Sequence, residues 1–325
     1  MADFFLFQYT ENTMSTTTAF AESIYKTLCY FQEVGFPLTK TELFRYAWLP
    51  PRIDYAEFDR LLAKSKFTAQ DGYYVLPGYE ELIQDRRVAR QISERKLKKV
   101  RFAVKLIRSV PFLRAIFVCN SVGAGMARPE SDIDFFIVAE TNRIWIVRLF
   151  TNLILRLFHV RTYGKHEADR VCLSFYVDAK HLNLAPWRVA DDDIHFAYWL
   201  YQMVPVYDQG GWYTKLLQAN RWVEKYVPNI NHFFSSSATA AVPDGAVGSI
   251  WKKGWEAMWR GAYGDQIETE AKKIQTLKMK FSLQEKARLP DHGVVIADGV
   301  IKLHEHDTRK EHREKWLQKI SVSVV

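Results

Sequence analysis

The segment RAIFVCNSVGAGMARPESDIDFFIVAE, residues 114–140, decides the fold of this chain. It contains two apolar runs, RAIFVCN and DIDFFIVAE, which predict two strands separated by a loop with Gly123 and Gly125. Because side chains alternate along a strand, we expect Asp132 and Asp134 to share one face, with Ile133 on the other. The segment therefore predicts two carboxylates side by side at the start of a buried strand.

Such a pair of carboxylates needs a compensating charge, because isolated buried charges are expensive. Carboxylate oxygens are preferred ligands of Mg²⁺ and Mn²⁺. A cation held by Asp132 and Asp134 would bridge a triphosphate and neutralise charge as a phosphoryl bond breaks. An alternative interpretation is a surface strand end, at which Arg128 or Arg143 forms salt bridges with the pair.

The same segment resembles the signature of the DNA polymerase beta-like nucleotidyltransferase superfamily. That signature is a strand, a Gly-Ser turn, a short loop of small residues and then Asp-x-Asp on the next strand. The resemblance implies that Asn120, Ser121 and Gly123 bind the phosphates of a nucleoside triphosphate. It also implies that Asp132 and Asp134 bind Mg²⁺, or Mn²⁺, and are catalytic. It covers residues 109–180, and more weakly the helices that follow.

The sequence departs from the family pattern at the turn, where Asn120 replaces the usual glycine. Asparagine tolerates a positive φ better than other non-glycine residues, so we expect the turn to form.

A second departure concerns the third carboxylate that active members carry on a later strand. The next strand here is RVCLSFYVD, residues 170–178, and its middle holds no acid. Cys172 and Ser174 share one face with Asp178, so Ser174 or Cys172 is expected at the third position. Asp169 or Asp178 substitutes only if the strand register shifts. Losing a positioned general base costs roughly 10²- to 10⁴-fold in rate.

The resemblance therefore implies an enzyme that moves a nucleotidyl group from a nucleoside triphosphate to a hydroxyl or phosphate acceptor, with weakened catalysis. The acceptor is RNA, a protein side chain or a small molecule. The alternative is a degenerate module that senses nucleotide and binds nucleic acid or protein.

The expected fold class is α+β, with an N-terminal winged helix, a central mixed sheet of nucleotidyltransferase type flanked by helices, and a C-terminal helical region with a β-hairpin. The winged helix is predicted from three helical patterns followed by a hairpin at Asp71-Gly72. It favours either nucleic-acid binding or a packing or dimerisation role. The predicted divisions are a winged-helix-like domain (1–78), a basic connecting helix (79–108), the nucleotidyltransferase core (109–180), a helical bundle beside the active site (181–230), a loop or linker (231–249), and C-terminal helices with a hairpin at Asp298-Gly299 (250–325).

The connecting helix carries a run of basic residues. This run indicates either a solvated face or a ridge that guides a nucleic acid or a triphosphate. The members are Arg86, Arg87, Arg90, Arg95, Lys96, Lys98, Lys99, Arg101, Lys105 and Arg108.

Two weaker candidates lie in the second half of the chain. His304, His306, Asp307 and His312 offer metal-ligating side chains, but an exposed hairpin end beside a helix start is the favoured interpretation. The run DDD at 191–193 is expected to cap a helix that continues to residue 208, because acids suit a helix N-terminus.

Composition limits the compartment and the partners. The chain of 325 residues has 45 Lys and Arg against 37 Asp and Glu, a formal charge of +8 that is compatible with a polyanionic partner. Its three cysteines form neither a disulfide framework nor a zinc-ligand pattern, which favours a reducing compartment. No run is long and uncharged enough to span a membrane, so we expect a cytoplasmic protein without a membrane partner. The sequence predicts no oligomeric state.

Overall fold

The computed structural model describes residues 15–164, 166–231, 241–279, 293–304 and 307–321, together with the single residues 283, 285 and 287. The fold is α+β, as the sequence predicts. The predictions that concern residues 1–14, the middle of the loop at 231–249, and His306 lie outside the described residues.

The N-terminal unit contains three helices and a small antiparallel sheet. Its elements are α1 (Thr16–Glu33), β1 (Leu38–Thr39), α2 (Lys40–Tyr46), α3 (Tyr55–Ala63), β2 (Ala69–Gln70) and β3 (Tyr73–Tyr74). The strands lie in the order β1-β3-β2. The hairpin turns at Asp71 and Gly72, whose φ angles of 52° and 80° suit a tight two-residue turn.

Helix α4 (Leu82–Ile107) is continuous, as predicted, but its basic residues do not all face solvent. Arg86 is buried; its guanidinium donates to Glu42 at 2.5 Å and lies 3.9 Å above the ring of Phe36. Lys96 is also buried. The prediction of a wholly solvated face is therefore wrong at these two positions, because Arg86 joins α4 to the N-terminal unit.

The central sheet has six strands in the order β7-β4-β5-β6-β9-β8. The strands are β4 (Leu113–Cys119), β5 (Ile133–Ala139), β6 (Val171–Asp178), β7 (Val204–Asp208), β8 (Val294–Ala297) and β9 (Val300–Leu303). β5 and β6 are parallel, and the other neighbours are antiparallel. The short helix α5 (Asn120–Gly123) follows β4, and α6 (Ile144–Leu157) connects β5 to β6. The two predicted strands are therefore central and adjacent.

The helix predicted to continue to residue 208 ends earlier. Helix α7 spans Ile194–Gln202, and β7 then pairs with β4 at the edge of the sheet. Pro205 explains the difference, because it lacks an N–H group and disfavours a helical conformation at Val204. The region predicted as a helical bundle thus contributes a strand as well.

The C-terminal hairpin is part of the central sheet. β8 and β9 join at Asp298-Gly299, and β9 pairs with β6 through Phe175 and Lys302. In the part of the chain that the structure describes, the further helices are α8 (Trp212–Ala219), α9 (Ala246–Met258), α10 (Ala262–Leu277) and α11 (Arg309–Ser321), with 3₁₀ helices at Ala185–Trp187 and Arg221–Lys225.

The two faces of the sheet bury different cores. On one face, Phe117, Phe136 and Phe175 pack with α7 and with the N-terminal unit. On the other, Phe135 and Tyr176 pack beneath α4 and α6. Among the described residues, no helix has both the length and the apolar content needed to cross a membrane.

Candidate functional site

The two predicted aspartates lie together at the start of β5. Ligand atoms of Asp132, Asp134 and Cys172 all fall within 4.8 Å of one another. Asp134 is 8% exposed and Asp132 is half-buried. By alternation Asp134 shares the face of Phe136, the face that packs with α7 and the N-terminal unit. The predicted pairing of the two carboxylates is therefore observed.

The third position of this cluster belongs to a cysteine. Cys172 pairs with Asp134 in the parallel register of β5 and β6. The register then shifts, so that Phe136 pairs with Phe175 and Ser174 falls in the irregular stretch. Of the two residues predicted for the third position, Cys172 lies opposite Asp134, and the side chain of Ser174 hydrogen-bonds to Cys172. The assignment of the third position stays a prediction.

Burial and mutual repulsion disfavour the charged form of both carboxyl groups. The pKa of Asp134 is raised to about 7, by burial first and then by the charge of Asp132, against a hydrogen bond from Asn120. Burial also raises the pKa of Asp132, helped by the charge of Glu167. Burial and the two aspartates raise the pKa of the Cys172 thiol. At neutral pH the cluster therefore contains two carboxyl groups that a nearby cation would stabilise in their charged forms.

Among the described side chains, Lys96 lowers the pKa of Asp132 through its charge, but it does not pair directly with either carboxylate. Within the described ranges, neither carboxylate forms a salt bridge, and Arg143 pairs instead with Asp265 at 2.7 Å. The alternative prediction, a strand end paired with Arg128 or Arg143, is therefore wrong.

The turn before the aspartates has the conformation expected from its sequence. Asn120 adopts a φ of 54°, and its side-chain oxygen accepts a hydrogen bond from the indole of Trp199 at 2.7 Å. The backbone oxygen of Ser121 accepts from the N–H of Met126 at 2.7 Å, which closes the loop. Gly123 is required by close approach, because a Cβ there would lie 2.6 Å from the carbonyl oxygen of Val118.

A large cleft begins at this turn. Its volume is about 1170 Å³, and its walls include Asn120, Ser121 and Ser131, the residue before Asp132. Its walls also include His304, whose Nε2 lies 3.1 Å from the hydroxyl of Ser174. Ligand pockets typically span roughly 300–1,000 Å³, so this cleft has room for a nucleotide and part of a second substrate.

The other acids predicted as possible substitutes do not reach the cluster. Asp169 is bound by Lys96 and Lys99, each at 2.8 Å, and the side-chain hydrogen bonds of these lysines lower its pKa. Asp178 lies at the far end of β6, where it accepts hydrogen bonds from the backbone of Asn142 and Lys180.

The weaker candidates have structural partners. Asp307 pairs with Lys302 at 2.7 Å and with Arg309 at 2.6 Å, and the ring of His312 stacks 5.0 Å from that of His195. These side chains are partly buried, so the prediction of a simply exposed hairpin end is wrong. Asp193 accepts a hydrogen bond from the backbone of Phe196. The predicted capping role of the acidic run is thereby confirmed.

Lys96 is a site residue that the sequence interpretation missed. Its ammonium donates to the backbone oxygens of Pro129 at 3.0 Å and Ser131 at 2.7 Å, as well as to Asp169. It thus holds the loop that leads into Asp132. A signal was present, because Lys96 falls in the apolar helical register of Ile92 and Val100 and not on the polar face.

Comparisons of the chain with protein-family models, with curated proteins and with solved structures found no match.

Proposed function

We propose that this chain binds a nucleoside triphosphate through a divalent cation at Asp132 and Asp134 and transfers its nucleotidyl group slowly to a hydroxyl or phosphate acceptor. The observation that carries the proposal is the cluster of these two carboxylates, with ligand atoms within 4.8 Å of each other, beside the Asn120-Ser121 turn. The cleft that opens at this turn supports it, because it has room for a nucleotide and part of a second substrate; its wall reaches Ser131, next to Asp132, and does not include the carboxylates themselves.

The donor set fits one Mg²⁺ or Mn²⁺ ion better than two. Two carboxylates supply hard oxygen ligands, and the pKa of Asp134, raised to about 7, reflects negative charge without a cationic partner. The Cys172 thiol is a soft donor that Mg²⁺ does not favour. When bound, the cation supplies positive charge that neutralises the phosphate oxygens as the bond to the leaving pyrophosphate breaks.

The chain's own residues have distinct roles in this proposal. The turn at Ser121 binds phosphate oxygens, and Asn120 positions Asp134 through the hydrogen bond between their side chains. The acceptor oxygen attacks the α-phosphorus, pyrophosphate leaves and the acceptor's proton passes to water. Cys172 does not take that proton, because its raised pKa keeps the thiol protonated at neutral pH. Slow transfer follows, since general-base catalysis is worth roughly 10²- to 10⁴-fold.

The test measures binding and transfer separately. Calorimetry with each nucleoside triphosphate, with and without Mg²⁺ or Mn²⁺, should show metal-dependent binding that Asp134→Asn abolishes. Glu130→Gln is the matched control, because Glu130 is an exposed carboxylate on the same loop. Incubation with α-labelled triphosphates and with RNA, the protein itself or small hydroxyl compounds should show slow label transfer. Absence of metal-dependent triphosphate binding by the unmodified chain would refute the proposal.

A second candidate function follows from Cys172. With a protonated thiol at the third position, the domain would serve as a nucleotide sensor whose binding state is passed to a nucleic-acid or protein partner. Retained triphosphate binding with no label transfer to any acceptor would favour this function over the enzyme.

Two further proposals concern the rest of the chain. We infer that the N-terminal unit is a winged helix, because its three helices and its hairpin at Asp71-Gly72 occur in the order of that fold. We also infer that the protein works in the reducing cytoplasm, and its three unpaired cysteines support this placement.

A further inference from the structure

A shallow groove lies between the C-terminal half of α4 and the segment that follows α6. Its volume is about 590 Å³, and five of its wall residues are Lys98, Lys99, Phe102, His159 and Arg170. We call this surface, defined by these five residues, the basic groove. It is separate from the large cleft, because the two share none of these residues.

The surroundings of the basic groove add positive charge that the described side chains do not balance. Arg95 and Lys105 are exposed on α4, and Arg156 is exposed at the end of α6. Arg156 and Arg161 form no salt bridge with any described residue, and the Nε of Arg161 is buried without a hydrogen-bond partner. The carboxylate of Asp169 also lines the groove, but it is already bound by Lys96 and Lys99. The cations that remain without a carboxylate partner repel one another, so this surface favours an anionic ligand.

Exposed aromatic rings lie among these charges. Phe102, Phe158 and Tyr163 are 53%, 51% and 52% exposed, so each ring presents a large apolar surface to solvent. The guanidinium of Arg170 lies 4.7 Å above the ring of Tyr163. Cations that follow a phosphate backbone, together with rings on which bases stack, are the two features of surfaces that bind single-stranded nucleic acid.

The basic groove borders the proposed catalytic site. The backbone oxygen of Arg170 accepts from the N–H of Ile133 at 2.8 Å, and the N–H of Asp169 donates to Ser131 at 3.1 Å. Asp132 lies between Ile133 and Ser131 in the chain. The groove therefore adjoins the edge of the sheet at which β5 and β6 begin, and a bound strand reaches the carboxylates, on the other face, around this edge.

We propose that the basic groove binds a single-stranded polynucleotide and that this polynucleotide is the acceptor of the transfer reaction. Its role as acceptor rests on the proposed function. Binding of the polynucleotide does not, because the groove contains none of the metal-cluster residues.

The experiment measures the fluorescence anisotropy of labelled 20-nucleotide RNA and DNA of mixed sequence, in EDTA and without triphosphate, over a range of salt concentrations. The double variant Lys98→Gln, Arg156→Gln should bind at least about tenfold more weakly at low salt. Its slope of log affinity against log salt should be shallower by about 1.4, which corresponds to two lost phosphate contacts on a single strand. Phe102→Ala should weaken binding by at least about fivefold. Its slope of log affinity against log salt should not change, because base stacking releases no counterions.

The matched control is Lys64→Gln, Lys66→Gln, which removes two exposed lysines from the N-terminal unit. Thermal unfolding of each variant verifies that the fold is kept. An equal or larger loss in the control would place the nucleic acid on the N-terminal unit and overturn the inference. Absence of polynucleotide binding by the unmodified chain, or binding to phosphatidylserine vesicles in its place, would overturn it too.

Measurements of triphosphate binding and of polynucleotide binding on the same protein distinguish a failure of this inference from a failure of the proposed function. If the chain binds polynucleotide through the basic groove but binds no triphosphate, the groove is a nucleic-acid site and the catalytic proposal is refuted. If the chain binds triphosphate in a way that Asp134→Asn abolishes but binds no polynucleotide, the proposed triphosphate site is supported and the inference about the basic groove is refuted.

Discussion

Asp134 and Cys172 lie side by side across the parallel pair of strands β5 and β6, and the sulfur of Cys172 is within 4.8 Å of a carboxylate oxygen of Asp134. In the proposed function, this thiol stands where a third carboxylate would complete the set of metal ligands. The thiol cannot take this role at neutral pH, because burial and the two aspartates raise its pKa. This pair therefore limits the rate of the proposed reaction.

Cys172→Asp should raise nucleotidyl transfer, by about 100-fold if the new carboxylate acts as a general base. Three neighbouring carboxylates also need more cationic charge, so addition of Mg²⁺ should raise the melting temperature of the variant more than that of the unmodified chain. The rate is measured with α-labelled triphosphate, and the melting temperature by calorimetry.

The matched control for this prediction is Ser174→Asp. Ser174 lies beyond the register shift and its hydroxyl faces His304 at 3.1 Å, so a carboxylate there should give no comparable gain. A larger gain from Ser174→Asp than from Cys172→Asp would show that the third position has been assigned to the wrong residue.

The local features of the fold were predictable from the sequence because they depend on short-range chemistry. Alternation placed Asp132 and Asp134 together, and the Asp-Gly dipeptides at 71–72 and 298–299 marked both hairpins. The signal for β7 was weaker, because an aromatic-rich helix runs directly into it and only Pro205 indicates the boundary.

The non-local features were not predictable in the same way. The pairing of Lys302 with Phe175 joins segments far apart in the chain, and no local pattern specifies it. The pairing of Cys172 with Asp134, with Ser174 in the irregular stretch, depends on a register shift that alternation alone does not reveal. The apolar register of α4 indicated that Lys96 is buried, but its partners, the backbone oxygens of the loop before Asp132, are not specified by any local pattern.

Lys96→Met should loosen the loop that leads into Asp132. The change leaves the backbone oxygens of Pro129 and Ser131 without their donor, so we expect the free energy of unfolding to fall by about 2 kcal/mol. The dissociation constant for triphosphate should rise, since the loop no longer holds the carboxylate in place. Urea unfolding and calorimetry measure the two effects.

The control for that change is Lys105→Met, which removes an exposed lysine from the same helix. It should alter the free energy of unfolding by less than about 0.5 kcal/mol. If both variants lost stability equally, the hydrogen bonds of Lys96 would not explain the effect.

Asn120→Ala and Asn120→Gly form a matched pair that measures backbone strain at the turn. Both remove the hydrogen bond to Trp199, but only alanine resists the φ of 54°. The left-handed conformation costs a non-glycine residue roughly 1–2 kcal/mol, partly offset by the greater entropy of glycine in the unfolded chain. The glycine variant should therefore be more stable than the alanine variant by about 1 kcal/mol. Equal stabilities in urea unfolding would show that the turn relaxes out of this conformation.

Acid should destabilise the fold through a buried imidazole. Burial lowers the pKa of His195 to about 3, and the charges of His312 and Arg309 act in the same direction, while Asp307 opposes them. Below a pH of about 6.5 the unfolded chain binds a proton at this histidine that the folded chain does not. The free energy of unfolding is therefore largest above that pH and falls as the pH decreases towards 3. At pH 5 this histidine alone should account for a loss of about 1 to 2 kcal/mol.

His195→Gln isolates this contribution, because glutamine does not titrate and its side chain can still hydrogen-bond to the hydroxyl of Tyr30, which lies 3.0 Å from Nδ1 of His195. Urea unfolding at pH 7.5 and pH 5 should show a smaller difference for this variant than for the unmodified chain. Part of the difference should persist, since burial also lowers the pKa of His304 to about 4. An undiminished pH dependence in His195→Gln would mean that His195 is protonated in the folded chain and that its burial against Tyr30 does not exclude the charge.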